Sequence, residues 1–418
     1  MKQRKPVRVC TFFLLSFLVL FALSLMGGCF FKGKEGPPPS LVRLKPDKYP
    51  RFTDDLFYDG IDQAIFQSLS YYNKMPLSKT YDFAGDSYDV GHLIRSLEFF
   101  LSYVESEPSE EDLNEFIRNK FAVYRSTGKD QTNEVLYTGY YEPSLRGSLE
   151  KTEIYRYPVY THPKDLVAIN LRLFSSEEAF RRTIIGRYTS ENTVVPYYER
   201  SQIGNGDILK DQADILAYVD DKIDLFFLEI QGSGIIYLEN GGFIRVHYHT
   251  KNGHPYRSIG SYLIRTGKVL KEEMSMQKIR EYLTLHPDEV KGILNYNPSY
   301  VFFRPEEGGP YGCYGVEVTP ERTIATDKRM FPACAISFIN TEKPLINGDG
   351  EIVEWMPFGR FVLNQDTGGA IKGPGRADLF KGNGRYAEVS AGHMQHTGSL
   401  YFLVMNKDKE PENGALVQ

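Results

Sequence analysis

The segment Phe361-Val362-Leu363-Asn364-Gln365-Asp366-Thr367-Gly368-Gly369-Ala370-Ile371-Lys372-Gly373 runs an apolar strand into an acid, a pair of glycines and a second short apolar run. Glycines let a backbone turn sharply and let a ligand approach the chain closely. An acid at the end of a strand, beside bare backbone, is therefore well placed to meet a substrate. An aspartate close to glycine also commonly stabilises a turn, so this segment alone leaves both interpretations open.

A second acid, Asp378, follows in Arg376-Ala377-Asp378-Leu379-Phe380. Conventional glycoside hydrolysis uses two carboxylates, one as the acid and one as the base or nucleophile. Asp378 can equally bind a sugar hydroxyl or hold a loop.

Three other segments combine turn residues with polar or aromatic side chains that suit ligand contacts. Each alone is more typical of a turn than of a site. They are Thr138-Gly139-Tyr140-Tyr141-Glu142-Pro143, Glu229-Ile230-Gln231-Gly232-Ser233-Gly234 and Lys251-Asn252-Gly253-His254-Pro255-Tyr256-Arg257-Ser258-Ile259-Gly260.

Composition bounds the class of protein. The 418 residues include 49 Lys and Arg against 54 Asp and Glu, a net charge of −5, and 41% are apolar. This length suits two or three domains with a real core, and the mild acidity argues against a nucleic-acid binder. Aromatic residues reach 14%, with 29 Tyr and 27 Phe. The excess indicates a tyrosine-rich β core, with some rings as candidates for stacking on sugars.

The first 28 residues have the pattern of an export signal. Lys2, Arg4, Lys5 and Arg8 precede the apolar run 12–26, and no acid occurs in this stretch. The run is short for a membrane span and suits the core of a signal peptide.

Met26-Gly27-Gly28-Cys29 resembles the lipobox of a bacterial lipoprotein, which predicts cleavage before Cys29 and its lipidation. An uncleaved anchor is the alternative. Phe30 stands where an Asp would retain a lipoprotein at the inner membrane, so the prediction is an outer-membrane anchor facing the periplasm. Residues 29–50, rich in Gly, Pro and Lys, are interpreted as a tether. In the mature chain Cys313 and Cys334 remain, and a disulfide between them is plausible in an oxidising compartment.

The hydrophobic period predicts helices first, then a mixed region, then mostly strands. Predicted helices are Ile61–Tyr72, His92–Val104, Glu111–Val123, Ser176–Ile185, Ser258–Thr266, Ser275–Leu285 and one beginning at Pro287. Predicted strands include Val135–Tyr141, Tyr155–Tyr160, Ile223–Gln231, Ile235–Leu238 and Phe243–His249, with β structure again from Tyr300. The fold class is α+β, mainly β.

Some motif-like patterns carry little weight. His247, His249 and His254 lie close in sequence, but no Cys or acid has the spacing of a metal site. The run 382–387 lacks the acid of a dinucleotide fingerprint, and Ser233 lacks the first glycine of a nucleophile elbow. The prediction is therefore no metal and no cofactor.

Taken together, the motifs resemble the membrane-bound lytic murein transglycosylase A family. The matching segments are Thr138–Tyr141, Gln231–Gly234, Asn252–Gly260, Ala325-Thr326-Asp327 and Asp366–Gly373, in family order over about residues 130–405.

The resemblance implies an architecture that the residues alone do not. A double-psi β-barrel at residues 301–405 would pack with a helical part at 51–143. A second β-rich domain at 144–300 would be inserted between them, and 406–418 would form a tail. A groove between the domains would hold a glycan strand.

The resemblance also implies an activity, that of a carbon–oxygen lyase acting on peptidoglycan. It would cleave the β-1,4 bond between N-acetylmuramic acid and N-acetylglucosamine and leave a 1,6-anhydro end, with Asp366 as acid and then base. The expected substrate-binding residues are Thr138, Tyr140, Tyr141, Gln231, Ser233, Asn252, Tyr256, Arg257, Gly368, Gly369, Lys372 and Asp378, with Tyr140 and Tyr141 as candidates for stacking.

Two other functions stay open on the sequence. The first is a hydrolase in which Asp378 or Glu142 activates water. The second is a non-catalytic wall-binding lipoprotein. Expected partners are peptidoglycan glycan strands, the membrane through Cys29, and proteins of cell-wall synthesis or division.

Overall fold

The structure, a computed structural model, describes residues 39–177, 180, 182–204 and 207–409. The predicted signal segment, Cys29 and residues 30–38 of the predicted tether lie outside these residues. From Ser40 onward the described chain forms one compact unit. Within the described residues it contains nine α-helices, four sheets and more strand than helix, which confirms the prediction of a mainly β, α+β fold.

The first part of the chain is helical, as the apolar spacing predicts. Strand β1 (Leu41–Arg43) leads to α1 (Ile61–Tyr72), the hairpin β2 (Thr80–Phe83) and β3 (Asp86–Asp89), α2 (Val90–Val104) and α3 (Glu110–Lys120). Asp89 caps α2 by accepting the N–H of His92, and Ser109 caps α3 by accepting the N–H of Asp112.

The predicted third helix is wrong at its C-terminal end. The chain leaves α3 at Lys120 and enters strand β4 (Phe121–Ser126). Residues 121–124 are fully buried apolar side chains, and such a run fits a strand covered on both faces better than an amphipathic helix. Strand β5 (Val135–Glu142) follows and confirms the predicted strand there.

Residues 144–305 build a second body around a six-stranded sheet. Its strands, in the order β14-β13-β12-β6-β11-β7, are β6 (Ser144–Ser148), β7 (Tyr157–Tyr160), β11 (Ile215–Val219), β12 (Ser233–Leu238), β13 (Phe243–Lys251) and β14 (Val301–Pro305). Because β14 pairs with β13, this sheet extends five residues past the predicted boundary at residue 300.

A small three-stranded sheet decorates the second body, formed by β8 (Leu166–Asn170), β9 (Thr183–Tyr188) and β10 (Val194–Pro196). The predicted helix Ser176–Ile185 is wrong at its end, because residues 183–185 belong to β9, which pairs with both β8 and β10. The helices of this body are α4 (Arg200–Ile203), α5 (Lys222–Gln231), α6 (Ile259–Arg265), α7 (Met276–Leu285) and α8 (Pro287–Asn295). The last three confirm the predicted helices.

Helix α5 corrects the prediction of a strand at Ile223–Gln231. A short apolar run reads the same for a buried helix and a buried strand. The flanking residues decide the outcome: the Asp221 side chain accepts the N–H of Ile223, and Gly232 ends the helix in the left-handed region at φ 84°.

The remaining strands close a barrel. They are β15 (Thr323–Ala325), β16 (Ile336–Ile346), β17 (Ile352–Asp366), β18 (Arg376–Asn383) and β19 (Gln395–Met405). The ring order is β19-β16-β17-β15-β18-β5, and β5 pairs back to β19, so six strands close on themselves. The pairs β15–β17 and β18–β5 are parallel. Short 3-10 turns lie at Pro46–Lys48, Lys129–Gln131, Leu171–Leu173, Lys271–Glu273 and Lys407–Lys409.

Helix α9 (Gly384–His393), which the sequence did not predict, packs on β5 and β18. The approach is close because Gly139 has no side chain: a Cβ there would lie 2.7 Å from the Cα of Ala391. Gly139 of the predicted motif thus serves packing between the barrel and this helix.

A buried ion pair ties the chain before α1 to the barrel. Arg322 donates two bonds to Asp54, at 2.6 and 2.9 Å, and two more to the carbonyls of Asp59 and Phe361. The two charged side chains are 0% and 1% exposed. A charge pair so buried is stable only while both partners are present.

We predict that Arg322→Ala lowers the free energy of unfolding by about 3–5 kcal/mol, because Asp54 is left as an unpaired buried charge. Denaturant unfolding followed by circular dichroism measures the change. Lys278→Ala, which breaks the exposed pair with Glu281 on α7, is the control and should cost less than about 0.5 kcal/mol. Equal losses in the two variants would contradict the assignment.

Candidate active site

Asp366 ends β17, and three donors hold its carboxyl group. Oδ1 accepts the backbone N–H of Cys313 at 2.8 Å and that of Thr367 at 2.7 Å, while Oδ2 accepts the hydroxyl of Tyr140 at 3.0 Å. Burial raises the pKa of Asp366 above its ordinary value, and these donors act in the opposite direction. The carboxyl is therefore rigidly oriented and biased toward holding a proton.

The donor from Cys313 depends on a close approach of the preceding glycine. A Cβ on Gly312 would lie 2.4 Å from the carbonyl oxygen of Gln365, so only glycine lets this loop lie against β17. The loop is closed by a bond from the N–H of Gly312 to the carbonyl of Val316 at 2.8 Å. Residue types do not reveal this contact because its donor is a backbone N–H group, and on sequence Cys313 is a candidate only for a disulfide.

Tyr140 reaches Asp366 from β5. Its ring packs against Phe380 of the neighbouring strand β18, with 5.0 Å between ring centroids. Its hydroxyl points to the acid, which differs from the predicted role of stacking on a sugar. Burial raises the pKa of Tyr140 well above its ordinary value, and the nearby negative charge of Asp366 raises it further. The phenol therefore stays protonated.

Asp378 lies in the same row as Asp366, a line of paired residues across four neighbouring barrel strands: Asp366, Ala325, Asp378 and Thr138. Ala325 of β15 is paired with Asp366 on one side and with Asp378 on the other, and Thr138 of β5 is paired with Asp378. Residues paired across neighbouring strands project on the same face, and two strand spacings separate the two aspartates by about 10 Å along the sheet.

Asp378 has partners of its own. The Thr138 hydroxyl donates to it and accepts a bond from Arg376 at 3.0 Å, and the Arg376 guanidinium lies 3.9 Å from the carboxylate. Burial raises the pKa of Asp378 to about 7, with Arg376 acting against the shift and Asp366 adding to it. Two carboxyl groups in one row thus both favour protonation above their usual range.

The glycine-rich loop after Asp366 is fastened at both ends. The Thr367 hydroxyl donates to the carbonyl of Thr326 at 2.7 Å, and the N–H of Gly373 donates to Asp327 at 2.9 Å. Hydrogen bonds from Arg329 lower the pKa of Asp327 strongly, so it remains an anionic anchor. Asp327 therefore holds the loop, and this explains its place among the sequence motifs.

Between these anchors the loop is open. Gly368 is half-buried, while Gly369 and Lys372 are exposed. A Cβ at Gly369 would meet no atom within 4 Å, and the Lys372 ammonium donates to the carbonyl of Gly368 at 3.4 Å. This stretch of bare backbone beside the acid is accessible to a ligand.

The turn after α5, in the second body, contacts barrel strand β5. Gln231 accepts the backbone N–H of Tyr141 at 3.2 Å, and Ser233 begins β12 just beyond Gly232. Tyr141 itself is 4% exposed and packs against Ala387 and Ala391 of α9. Its ring lies at the junction between the two bodies and presents no open face for stacking.

Comparison with known proteins identifies the family. A model described as the MltA specific insert domain matches residues 136–304, and one described as the 3D domain matches residues 322–404. The membrane-bound lytic murein transglycosylase A of Escherichia coli (strain K12) is 31% identical over 284 residues, which is 67% of this chain and 68% of that protein.

The chain belongs to the membrane-bound lytic murein transglycosylase A family.

Solved structures of the family agree with this fold. The membrane-bound lytic murein transglycosylase of Agrobacterium tumefaciens superimposes with a TM-score of 0.69 at 29% identity, over 88% of this chain and 98% of that one. Escherichia coli MltA with bound chitohexaose gives a TM-score of 0.66 at 26% identity, over 91% and 98%. The chain is accordingly an enzyme of the lytic transglycosylase class. In the part of the chain that the structure describes, no helix is both long and apolar enough to cross a membrane.

Asn252 belongs to the family motif but is used for structure. It is 1% exposed, donates to the carbonyls of Tyr198 and Pro298, and accepts the N–H groups of Tyr300 and His254. Both amide hydrogens and the carbonyl oxygen are thereby engaged with backbone. The predicted role in binding a sugar is wrong, because no hydrogen-bonding capacity faces a ligand.

Tyr256 and Arg257, in the same motif, are more accessible. Tyr256 is 48% exposed, and the Arg257 guanidinium lies 6.0 Å from the ring centroid of Tyr296. Both belong to the second body, and among the described contacts neither bonds to the row that contains Asp366.

Glu142 is committed to a structural pair. It is 1% exposed and lies 2.9 Å from the Arg245 guanidinium, which also donates to the carbonyl of Gly308. The negative charge of Glu142 is therefore compensated by the Arg245 guanidinium, and the carboxylate is removed from solvent.

The two cysteines of the described chain are free thiols, Cys313 exposed and Cys334 buried. The plausible disulfide is therefore absent here. Among the described residues no group of three His, Cys, Asp or Glu side chains could hold a metal ion.

Two cavities lie away from the acid. One of about 670 Å³ is bounded by residues 271–277, the turn before β17 and α9, and one of about 390 Å³ is lined by Tyr141, Glu142 and Arg280. Asp366 lines neither of them, so the candidate site is the open face of the barrel row and its glycine loop.

We predict that Asn252→Ala lowers the free energy of unfolding by about 2–4 kcal/mol, since it leaves buried backbone groups without partners. Unfolding in urea measures this loss, and initial rates measured well below the melting temperature should give an unchanged KM. A raised KM at unchanged stability would restore the sugar-binding role.

Proposed function

We propose that this protein is a lytic transglycosylase that cleaves the β-1,4 bond between N-acetylmuramic acid and N-acetylglucosamine in peptidoglycan and forms 1,6-anhydro-N-acetylmuramic acid ends. The observation that carries the proposal is the carboxyl of Asp366, oriented by three neutral donors and raised in pKa beside an open glycine loop. Family membership supplies the substrate class, and the chitohexaose bound to a relative supports glycan binding.

The reaction needs a proton to move twice. Protonated Asp366 gives its proton to the glycosidic oxygen as the bond from C1 breaks, which frees the sugar that follows. The C6 hydroxyl of the muramic acid attacks C1, and the carboxylate of Asp366 takes the hydroxyl proton. The acid is regenerated, no water is consumed, and one carboxyl group serves both steps.

The environment of Asp366 suits these two states. A carboxylic acid at its ordinary pKa is ionised at neutral pH and cannot donate, so burial that favours the neutral form is needed. The N–H donors and the Tyr140 hydroxyl stabilise the carboxylate that forms after the first transfer. The donors carry no formal charge, so they orient the acid without locking it in its ionised form.

The substrate would lie across the row and the loop. We assign sugar contacts to Thr138 and Asp378 in the row, to Gln231 and Ser233 in the turn of the second body, and to Gly368, Gly369 and Lys372 in the loop. Tyr256 and Arg257 are more distant candidates on the second body. Exposed backbone and short polar side chains suit the hydroxyl and acetamido groups of a glycan.

The hydrolase alternative finds less support. Glu142 is bound to Arg245, and Asp378 bonds to Thr138, so each carboxylate named as a possible base already has a partner. The wall-binding alternative leaves the raised pKa of Asp366 without a use.

The proposed location is supported by the names of the relatives and by the N-terminal sequence. Relatives are named membrane-bound. We propose that Cys29, outside the described residues, is lipidated and anchors the enzyme in the outer membrane, facing the periplasm, with peptidoglycan as its principal partner. Contacts with proteins of cell-wall synthesis or division are a further part of this proposal.

We predict that Asp366→Asn lowers the rate of muropeptide release by at least about 10³-fold, because the amide cannot donate the proton. The measurement uses the detergent-solubilised full chain, purified peptidoglycan and mass spectrometry of the products. Wild-type products should be lighter by one water than products with reducing ends. Reducing ends as the main product would favour the hydrolase, and an equally active variant would remove Asp366 from the role of acid.

We predict that Asp378→Asn moves the alkaline limb of the pH profile of kcat/KM to lower pH. Asp378 is ionised above its pKa of about 7, and there its negative charge disfavours ionisation of Asp366; the amide removes that charge, so protonated Asp366 is lost at a lower pH. Rates on soluble glycan strands between pH 4 and pH 9, roughly the range in which a shifted carboxyl titrates, measure the limb. An upward movement would show that the two carboxyls are not coupled in this sense.

A further inference from the structure

The two oxygens of Asp366 are unequal. Oδ1 accepts two backbone N–H groups, from Cys313 and Thr367, whereas Oδ2 accepts one hydroxyl, from Tyr140. An oxygen that already accepts two bonds has no room to carry a hydrogen as well. Oδ2 keeps one position open.

The backbone donors to Oδ1 are hard to displace. The Thr367 N–H comes from the residue next to the acid. The Cys313 N–H lies close to β17 because Gly312 has no side chain to hold the loop away. Neither donor can rotate as a side chain would. Oδ1 therefore stays an acceptor in both ionisation states of Asp366.

The Tyr140 hydroxyl is a donor of fixed direction. Packing against Phe380 orients the ring, and burial keeps the phenol protonated. Tyr140 thus occupies one acceptor position of Oδ2 and, among the hydrogen bonds described, leaves the other without a protein donor.

We propose that Asp366 carries its transferable proton on Oδ2, and that Tyr140 is a positioning residue whose hydroxyl holds this oxygen toward the substrate. The inference rests on the proposed function of Asp366 as the acid. In the first step the Oδ2–H bond breaks and the proton joins the glycosidic oxygen. In the second step Oδ2 receives the proton of the C6 hydroxyl, and Tyr140 keeps its own proton throughout.

Other titratable groups around the acid are few. From the loop before β15 come the Cys313 thiol and the Tyr314 phenol, whose pKa values are raised by burial, that of Cys313 to about 12, so both stay neutral. From β18 comes Asp378. Lys328 lies near Cys313 and lowers the pKa of its thiol. Of the Cys313, Tyr314 and Asp378 side chains, only Asp378, with a pKa of about 7, ionises near neutral pH, and it is unchanged in the variants below.

Tyr140→Phe tests the proposal, with rates measured on soluble glycan strands as a function of pH by the full-length enzyme. The ring is kept and only the hydroxyl is lost, so the carboxylate of Asp366 loses a stabilising bond and its pKa rises. We expect the alkaline limb of kcat/KM to move up by about one pH unit, with kcat about tenfold lower and KM within about twofold of wild type.

Tyr137→Phe is the matched control. Tyr137 lies on the same strand, points to the opposite face and donates to the carbonyl of Ser399 at 2.9 Å. This variant loses a buried tyrosine hydroxyl bond as Tyr140→Phe does, but away from the acid. We expect it to lower thermal stability and leave the pH limb in place.

A second modification covers the case in which Tyr140→Phe does not fold. Incorporation of 3-fluorotyrosine at position 140 keeps the hydroxyl and makes it a stronger donor, so the limb should move to lower pH. An unmoved limb in a folded variant overturns the proposal, as does a raised KM with an unchanged limb, which would mean that Tyr140 binds sugar. Full activity of Asp366→Asn, by contrast, would overturn the proposed function itself.

Discussion

The position of β5 between β18 and β19 is the constraint on which the site depends. This strand closes the barrel, and its parallel register with β18 sets Thr138 opposite Asp378 and Tyr140 opposite Phe380. On the same strand, the backbone N–H of Tyr141 donates to Gln231 of the second body, and Gly139 packs against helix α9. A slip of one residue would turn Thr138 and Tyr140 to the opposite face. The acid would then lose its hydroxyl partner while the barrel could still close.

The two aspartates at this end of the barrel, Asp327 and Asp366, have different kinds of hydrogen-bond partner. Asp327, a short distance along the chain from β15, bonds to Arg329 and is kept anionic as an anchor for the loop. Asp366 meets only formally neutral groups: two backbone N–H donors, the Tyr140 phenol and, close by, the Cys313 thiol. A guanidinium in the same place would lower the pKa and remove the proton that chemistry requires. Geometry and protonation are therefore controlled separately, the first by hydrogen bonds and the second by burial.

The sequence predicted those parts of the fold and site that depend on local patterns. The spacing of apolar residues located α1, α6 and α7, and in the structure Ser258 and Ser275 cap the last two. The Asp366–Gly373 segment showed the acid because glycines and an aspartate after a buried strand form an unusual combination. The order of the motifs, through the family resemblance, predicted the barrel and the inserted body.

Contacts between residues that are distant along the chain could not be predicted from the sequence. Helix α5 is not distinguished from a strand because an apolar run has the same composition in both. Helix α9 has no apolar periodicity, because the residues it buries are the small Ala387, Ser390 and Ala391, the last of which lies against Gly139. Asn252 has a side chain that could bind a sugar, but its three bonds to distant backbone groups are visible only in three dimensions. The N–H of Cys313 is invisible for the same reason, since a backbone donor leaves no trace in residue type.

The insertion of the second body between β5 and the other barrel strands has a consequence for folding kinetics. Thr138 and Asp378 are 240 residues apart in sequence, so barrel closure is a contact of very high order and would be slow if the intervening chain stayed unfolded. The inserted sheet changes this, because its first strand β6 and its last strand β14 belong to the same sheet, three strand spacings apart, about 14 Å. Once that sheet forms, its ends are held close together. A long flexible loop becomes a short rigid link, and the barrel can close as though the insertion were a compact turn.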